Sequence, residues 1–288
     1  MRHYNSTYEG SEGSELYYQA WLPGSNSRAV IIGVHGHGDH SGGLDSIISH
    51  LVPRGFGWYG LDLRGHGRSP GRRGHVESWS QFREDLKSFL NLVRDRERDL
   101  PVFLLGHSLG GLLSLDYAIQ YPGDLQGIIS ISPALSYSGF SPATAVFLHL
   151  LATLKPEYEI RIQANYSKLT RDEGTARRLS RDTLRHDFIT AQLGKELLKS
   201  GKRLKSGAHR LQVPLLMLYG TNDTLTPIEG MQDFYRSAAS DSKECYAYPD
   251  TLHRPFDDLR RSQVLEDIYS WISRQLEGEL LAENEQVG

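Results

Sequence analysis

The segment GHSLG (106–110) places a serine between two glycines, each two positions away. It joins the apolar run 101–108 to the almost wholly apolar stretch 109–121, a pattern that predicts a strand, a tight turn and a helix. Glycines are needed there because the two backbones approach closely, and a hydroxyl at such a turn projects from the sheet. The helix N-terminus also directs free N–H groups toward the spot where negative charge would develop on a substrate. Ser108 is therefore the candidate nucleophile.

A serine hydroxyl needs a base to take its proton and a carboxylate to hold that base. On strand-turn-helix sites of this kind the order along the chain is serine, acid, histidine. Asp223 follows the apolar run 213–220, 115 residues after Ser108, and His253 follows the apparent strand 243–248, another 30 residues along. Both fall at the C-terminal ends of strands, where the catalytic groups of open α/β sheets gather. The spacing therefore predicts a Ser-Asp-His triad.

These assignments have alternatives within the sequence. Asp223 would also serve as a turn former or helix cap, and His253 as an ordinary loop histidine. Asp250 and Asp257 lie close to His253 and are the other candidates for the acid. His253 is the only histidine after Asp223, which favours the pairing of these two residues.

The segment HGHGDH (35–40) has two incompatible interpretations. Its spacing matches H-x-H-x-D-H, with which dinuclear zinc hydrolases hold two metal ions. After the apolar run 29–36 it also matches the His-Gly-x-Gly turn that supplies a backbone N–H to an oxyanion hole. A zinc site needs further ligands downstream. His107 lies at a tolerable distance, but a bridging aspartate and a final histidine occur only among the triad candidates. The zinc site is therefore the minor hypothesis.

Length and composition indicate one globular α/β core with an insertion. The chain has 288 residues, of which 39% are hydrophobic and 23% charged, enough to bury a sizeable core. Its single cysteine, Cys245, excludes an intrachain disulfide and a cysteine-based zinc cluster. The segment 1–13 lacks the apolar core of a signal peptide, and no run approaches the ~18 apolar residues of a membrane span. We therefore expect a cytoplasmic protein.

The elements that must position these residues alternate along the chain. Short runs that are apolar on both faces and end at Gly, Ser or Pro predict strands of a parallel sheet covered by helices. These runs are 29–36, 57–65, 101–108, 125–133 and 213–220. Helical patterns with one apolar face occur over 82–93 and 264–276, and a loose hairpin over 4–24 precedes them. The fold class is therefore α/β, with a mostly parallel, doubly wound sheet.

The alternation stops after the run 125–133 and resumes at Val213. Between them, 141–156 and 171–204 are predicted to be helices with no strand between them. We therefore predict an inserted helical cap over 134–210, and a core made of the two remaining parts of the chain. These two parts are 1–133 and 211–288.

Five motifs occur in an order that resembles a known family. HGHGDHSGG, GLDLRGHGRSPG, GHSLGG, YGTNDTLTP and DTLHRP are similar to the monoacylglycerol lipase and lysophospholipase branch of the serine α/β-hydrolases, which are serine-aminopeptidase-like hydrolases. The resemblance covers most of 15–276 and is weaker in the cap. It implies the α/β-hydrolase fold, esterase action on single-chain lipids, and a cap that guides the acyl chain. It implies no metal or organic cofactor.

The resemblance also implies roles for individual residues. Ser108, Asp223 and His253 would form the triad, and the backbone N–H groups of His37 and Leu109 would form the oxyanion hole. Many relatives have a small or apolar residue in place of His37. A backbone donor does not depend on its side chain, so this departure leaves the hole intact.

Other functions use the same residues. A general carboxylesterase or a thioesterase for small acyl substrates is the main alternative, because a triad and an oxyanion hole serve any acyl transfer. A dinuclear zinc hydrolase and a non-catalytic binding protein on the same fold are remote alternatives. The net charge of −3 argues against nucleic acid as a partner.

The cap carries a hypothesis about membranes. Its segment 155–210 has 14 Lys/Arg against 7 Asp/Glu. The apolar residues of 145–154 are too few to span a bilayer, but enough to line a lipid tunnel or touch a membrane surface. Packing of the cap on the core is the alternative. We therefore consider a peripheral contact with anionic membranes, to which Arg177, Arg178 and Arg181 would contribute.

Overall fold

The computed structural model describes residues 1–137, 142–162 and 165–286. Its strands are β1 (Arg2–Glu9), β2 (Glu15–Leu22), β3 (Ala29–Val34), β4 (Phe56–Leu61), β5 (Val102–His107), β6 (Gly127–Ile131), β7 (Glu159–Arg161), β8 (Phe188–Thr190), β9 (Leu215–Gly220) and β10 (Lys243–Tyr248). Its helices are α1 (Asp45–Leu51), α2 (Trp79–Arg96), α3 (Leu109–Gln120), α4 (Pro142–Leu154), α5 (Glu173–Arg181), α6 (Ala191–Ser206), α7 (Ile228–Ser237) and α8 (Arg261–Gln286).

The centre of the molecule is an eight-stranded sheet in the order β1-β2-β4-β3-β5-β6-β9-β10. β1 and β2 form the predicted antiparallel hairpin, and β2 joins β4 in antiparallel orientation. All remaining pairs in this sheet are parallel. The α/β class and the mostly parallel, doubly wound sheet are therefore confirmed.

Both faces of the sheet are covered, which explains why its central strands are apolar throughout. In β3, Val30 and Ile32 pack into the core on the side of α2 and α3, whereas Ile31 packs on the opposite side. That opposite side is closed by α1 and α8, with Trp271 fully buried against the sheet. Side chains alternate between faces because a strand has a period of two, so each face needs its own layer of helices.

The insertion between β6 and β9 contains α4, β7, α5, β8 and α6. The prediction of two helices with no strand between them is wrong, because β7 lies between them and β8 interrupts the predicted helix 171–204. The two strands pair in antiparallel register, with Ile160 opposite Ile189. Strands of three residues are too short for an alternating pattern to stand out in a sequence. The predicted span 134–210 also includes 138–141 and 163–164, which lie outside the described residues.

Backbone hydrogen bonds tie the second half of the insertion to loops of the core. His186 N–H donates to the carbonyl of Gly38 at 3.1 Å, and Thr190 N–H donates to that of Gly74 at 2.9 Å. Both glycines have positive φ, and a Cβ on either would lie 2.2 Å or less from a carbonyl oxygen of the insertion. The apolar face of α6, including Leu197, continues the core beneath it. This half of the insertion is therefore fixed to the core.

The crossing of β5 and α3 leaves no room for side chains at two positions. A Cβ on Gly106 would lie 2.2 Å from the carbonyl oxygen of Gly110, and one on Gly110 would lie 2.2 Å from that of Val34. Both contacts are with backbone, which cannot move aside without shifting a strand. The structural reason predicted for the two glycines is therefore confirmed.

No described helix is long and apolar enough to cross a lipid bilayer.

We expect Gly110→Ala to lower the free energy of unfolding by about 3 kcal/mol or more, because overpacking against rigid backbone costs at least as much as in a side-chain core. Urea unfolding followed by tryptophan fluorescence measures the change. Gly123→Ala is the matched control, since a Cβ there meets nothing within 4 Å. Equal midpoints for the two variants would contradict the close approach.

Candidate active site

Ser108 lies between β5 and α3 with a strained backbone. Its φ of 55° and ψ of −114° are rare for a residue with a side chain, and such strain costs about 1–3 kcal/mol. Three hydrogen bonds hold the conformation: Ser108 N–H donates to Ile131 O at 2.9 Å, and Ser108 O accepts from Leu112 and Ala134. The backbone therefore fixes where the hydroxyl projects, beyond the C-terminal end of β5.

The structure brings the three predicted triad residues together. His253 Nε2 lies 3.0 Å from the hydroxyl oxygen of Ser108, and His253 Nδ1 lies 2.7 Å from Asp223 Oδ2. A carboxylate can only accept at Nδ1, so that nitrogen holds the proton and Nε2 is left with a lone pair facing the hydroxyl. This is the arrangement that a serine nucleophile needs for activation by a base.

Asp223 is a turn former as well as a partner of His253. Its Oδ1 accepts from the N–H groups of Leu225 and Thr226, and its Oδ2 accepts from the Thr226 hydroxyl at 2.7 Å. Burial would raise the pKa of this carboxyl, but His253 and these hydrogen bonds outweigh burial and lower it. Asp223 therefore stays ionised. Sequence reasoning missed Thr226, although an aspartate three residues before a threonine is a recognisable turn pattern.

The loop of His253 is held on both sides. His107 donates from Nε2 to the carbonyl of His253 at 3.1 Å, and Arg254 N–H donates to the carbonyl of Leu169 at 2.8 Å. Burial lowers the pKa of His107 well below its usual range, so the ring is neutral. His107 therefore supports the loop of His253 from within the core. Of the two other candidate acids, Asp257 pairs with Arg254 and Asp250 is exposed.

The HGHG segment forms a turn next to Ser108. Asp39 N–H donates to the carbonyl of Gly36 at 3.2 Å, with Gly38 at the third position and φ of +67°. A Cβ on Gly36 would lie 3.2 Å from Ser108 Cβ. Within the described part of the chain, neither His37 N–H nor Leu109 N–H donates a hydrogen bond. Two amides beside the nucleophile are thus available to a ligand.

The other polar side chains of HGHGDH bind protein groups. His35 donates from Nδ1 to Gly36 O and accepts Leu63 N–H at Nε2. His40 accepts Gly42 N–H at Nδ1, and its Nε2 lies 2.7 Å from Asp182 of the insertion. Across the described ranges, no three His, Cys, Asp or Glu side chains are grouped so that they could hold a metal ion. The arrangement therefore does not support the zinc hypothesis.

The candidate triad opens into a cavity of about 430 Å³ beneath the insertion. Apolar walls come from Tyr137, Ile162, Leu169 and Leu225, and polar groups come from Lys168 and Arg185. Most of these residues belong to the insertion, and their spacing carries no sequence signal for a pocket. A second cavity of about 620 Å³ lies farther out in the insertion and shares residues 185–187 with the first.

The family model described as serine aminopeptidase, S33, matches residues 25–260. The chain belongs to this family. Among curated members, a monoacylglycerol lipase of Mycolicibacterium smegmatis is 29% identical over 272 residues, covering 94% of this chain and 97% of that protein. A monoglyceride lipase of Rattus norvegicus is 30% identical and covers 92% and 89%. These matches confirm the predicted ester hydrolase of the monoacylglycerol lipase branch.

Solved structures of S33-type lipases have the same fold. A monoacylglycerol lipase of Paleococcus ferrophilus superposes with a TM-score of 0.83 at 29% identity, covering 91% of this chain and 99% of that one. A soluble variant of the Saccharomyces cerevisiae monoglyceride lipase, in complex with a substrate analogue, has a TM-score of 0.84 at 24% identity and covers 93% and 94%. Because so little of this chain is left out, both superpositions also include most of the insertion.

Several histidines near the site are kept neutral by burial. Burial lowers the pKa of His37 to about 3 and that of His186 to about 4. It lowers the pKa of His66 well below its usual range. The rings of these three residues contact one another, with centroids 4.7–5.4 Å apart. The ordinary value is 6.5, so below that pH the unfolded chain binds more protons than the folded one.

We expect the free energy of unfolding to fall as the pH drops from 6.5 toward 4, because each buried histidine then favours the unfolded chain by up to about 1.4 kcal/mol per pH unit. Urea midpoints measured across this range test the slope. His37→Gln should flatten it, whereas His149→Gln, at an exposed position of α4, serves as the control. A slope identical in wild type and His37→Gln would refute the contribution of His37.

Proposed function

We propose that this chain hydrolyses monoacylglycerols and related single-chain lipid esters through an acyl-enzyme. The observation that carries the proposal is the continuous hydrogen-bond chain Asp223–His253–Ser108 at the base of a partly apolar cavity. The monoacylglycerol lipases among its relatives support the choice of substrate.

In the first step Ser108 attacks the ester carbonyl while His253 Nε2 takes the hydroxyl proton. Asp223 holds the ring in the required tautomer and stabilises the imidazolium that forms. When the tetrahedral intermediate collapses, His253 gives the proton to the departing alcohol, leaving Ser108 acylated. Water then attacks the acyl-enzyme with His253 again as the base, and the acid product and free Ser108 are formed.

Charge on the carbonyl oxygen must be stabilised in both steps. We assign this to the backbone N–H groups of His37 and Leu109, which have no partner among the described residues and flank Ser108. Leu109 begins α3, so the helix dipole adds to its N–H. Loss of one such donor in an acyl-transfer enzyme costs about 10²–10³ in kcat. No metal or organic cofactor has a role in these steps.

The insertion is the proposed cap, and its helix α4 is the proposed membrane contact. Phe147 and Leu154 are 64% and 80% exposed, whereas Leu148 is buried. The buried face of α4 packs with Ile160 of β7, and Ile162, next to β7, is half exposed and also lines the triad cavity. The exposed large apolar residues of the segment 142–162, which we call the contact patch, are Val146, Phe147, Leu150, Leu154, Tyr158 and Ile162. The patch therefore includes one residue of the cavity lining.

We propose that this patch binds an anionic lipid surface. Water-exposed apolar residues favour burial in the interface of a bilayer, and the net positive charge of 155–210 favours anionic head groups. Arg177 and Arg178 on α5 are 64% and 57% exposed. Arg178 also approaches the exposed Asp45 at 3.9 Å and the buried Asp257 at 4.0 Å, both at the outer limit of an ion pair.

Ser108→Ala should abolish hydrolysis and fluorophosphonate labelling, because Ser108 is the only nucleophile within hydrogen-bonding distance of His253 Nε2 among the described residues. The assay is a panel of monoacylglycerols, lysophospholipids and p-nitrophenyl esters of graded chain length, run with and without a chelator. A preference for medium or long monoacylglycerols supports the proposed substrate class. A preference for acetyl esters or thioesters would identify a general carboxylesterase or thioesterase, and loss of activity with chelator would revive the zinc hypothesis.

Substitutions in the cap should separate apolar from electrostatic binding to membranes. Phe147→Ser with Leu150→Ser should weaken sedimentation with phosphatidylcholine vesicles and with phosphatidylserine-containing vesicles alike. Charge reversal of Arg177, Arg178 and Arg181 should weaken only the second. Both variants should keep wild-type kcat on a soluble p-nitrophenyl butyrate, since none of these residues lines the triad cavity. Unchanged sedimentation of both variants would refute the membrane contact.

A further inference from the structure

Arg254, the residue after His253, is a fully buried cation whose role the reaction above does not explain. Its side chain is 1% exposed. Nη1 donates to Asp39 Oδ2 at 2.6 Å, and Nε and Nη2 donate to Asp257 Oδ2 at 2.9 and 2.7 Å. Nη2 also donates to the carbonyl of Gly43. One side chain thus binds two carboxylates and a backbone oxygen.

Two of these partners lie on the loop that carries the oxyanion amide. Asp39 closes the turn that begins at Gly36 and contains His37, and Gly43 lies just beyond that turn. A Cβ on Gly43 would lie 2.0 Å from Asp39 Oδ1, so the carboxylate is packed directly against this backbone. Arg254 therefore holds the segment 36–43 at two points, one on each side of His40.

The other end of Arg254 is fixed to the loop of the base. Its own N–H donates to Leu169 O, and its partner Asp257 accepts a hydrogen bond from the Thr170 hydroxyl at its carbonyl, 2.9 Å away. The neighbouring carbonyl of His253 is held by His107. A displacement of the His253 peptide would therefore also displace the backbone of Arg254, whose guanidinium binds Asp39.

We propose that Arg254 is a positioning residue that sets the distance between the oxyanion amide of His37 and the base His253. The inference rests on the proposed function, because it concerns the geometry of the same two groups. An oxyanion donor and a base must be correct to within a fraction of an ångström, and a displacement of about 1 Å can cost 10²-fold in rate. Arg254 joins the two loops through one rigid, planar group.

The choice of a cation here is not explained by stability alone. A buried ion pair is often no more stabilising than apolar residues of the same volume, but it fixes the direction of each partner. Burial would raise the pKa of Asp39, yet Arg185 and Arg254 outweigh it and lower the pKa far below its usual range. Asp39 is thus an anion with two cations. Removing Arg254 leaves it paired with Arg185 of the cap, which favours a folded variant.

The test is Arg254→Met, which keeps much of the side-chain volume and removes the three attachments. Arg64→Met is the matched control. Arg64 is partly buried and forms a bidentate pair with the buried Asp85 at 2.7 and 2.8 Å, 44 residues before Ser108 and outside the cavity lining. Both variants lose an ion pair, so both should unfold at lower temperature. Assays are run on soluble p-nitrophenyl butyrate well below both unfolding temperatures.

We expect Arg254→Met to lower kcat by about 10- to 100-fold, with KM within about threefold of wild type, because ground-state contacts are retained while oxyanion stabilisation is lost. Arg64→Met should stay within about twofold of wild type in both. The inhibition constant of a trifluoromethyl ketone, which presents an oxyanion to the same amides, should rise in Arg254→Met by the same factor as kcat/KM falls. Arg254→Lys, with fewer attachments, should be intermediate.

Equal kcat values in Arg254→Met and Arg64→Met would overturn the proposal, as would a fall in kcat with unchanged affinity for the ketone. If Arg254→Met does not fold, Arg254→Lys and Asp39→Asn carry the same comparison, and wild-type kcat in both overturns it. Failure of the proposed function would look different, since wild type itself would then not hydrolyse esters through Ser108.

Discussion

The close contact between β5 and α3 is the constraint on which the rest of the site depends. Two glycines allow the backbones to meet, and the turn between them holds Ser108 at positive φ. The strain is held by hydrogen bonds to β6, α3 and the start of the insertion. Because backbone hydrogen bonds hold Ser108, its position does not rely on the packing of side chains from the insertion.

The remaining groups are brought to the nucleophile by the parallel sheet. β3, β9 and β10 are parallel to β5, so their C-terminal ends lie at the same edge of the sheet. The loops that carry His37, Asp223 and His253 therefore meet at this edge. The sheet does not fix how far each of these loops projects beyond the ends of the strands. We propose that buried polar contacts do this: His107 donates to the carbonyl of His253, and Arg254 pairs with Asp39 of the turn 36–39.

The sequence predicted the parts of this site that have a local signal. Strand ends, the glycines around Ser108 and the order of Ser108, Asp223 and His253 follow from short-range patterns, and the structure brings these residues together. The short strands β7 and β8 were not predicted, because three residues are too few to show the two-residue period of a strand. Arg254 and Asp39 are 215 residues apart, and nothing in either segment indicates that they pair. The cavity walls were not predicted either, because they are formed by residues from distant parts of the insertion.

The hydrogen bonds from His186 and Thr190 to Gly38 and Gly74 attach the second half of the insertion to loops of the core. Substitutions should therefore be tolerated to different degrees in the two halves of the insertion. Residues around β8 are joined to the loop of His37, the proposed oxyanion donor, so we expect a change there to affect the reaction itself. Among the described residues α4 makes no backbone hydrogen bond to that loop, and Val146, Phe147, Leu150 and Leu154 on its outer face are exposed. In this architecture the segment that we propose to contact lipid can be exchanged or redesigned, and selectivity for the acyl chain altered, without changing the half of the insertion that is joined to the candidate site.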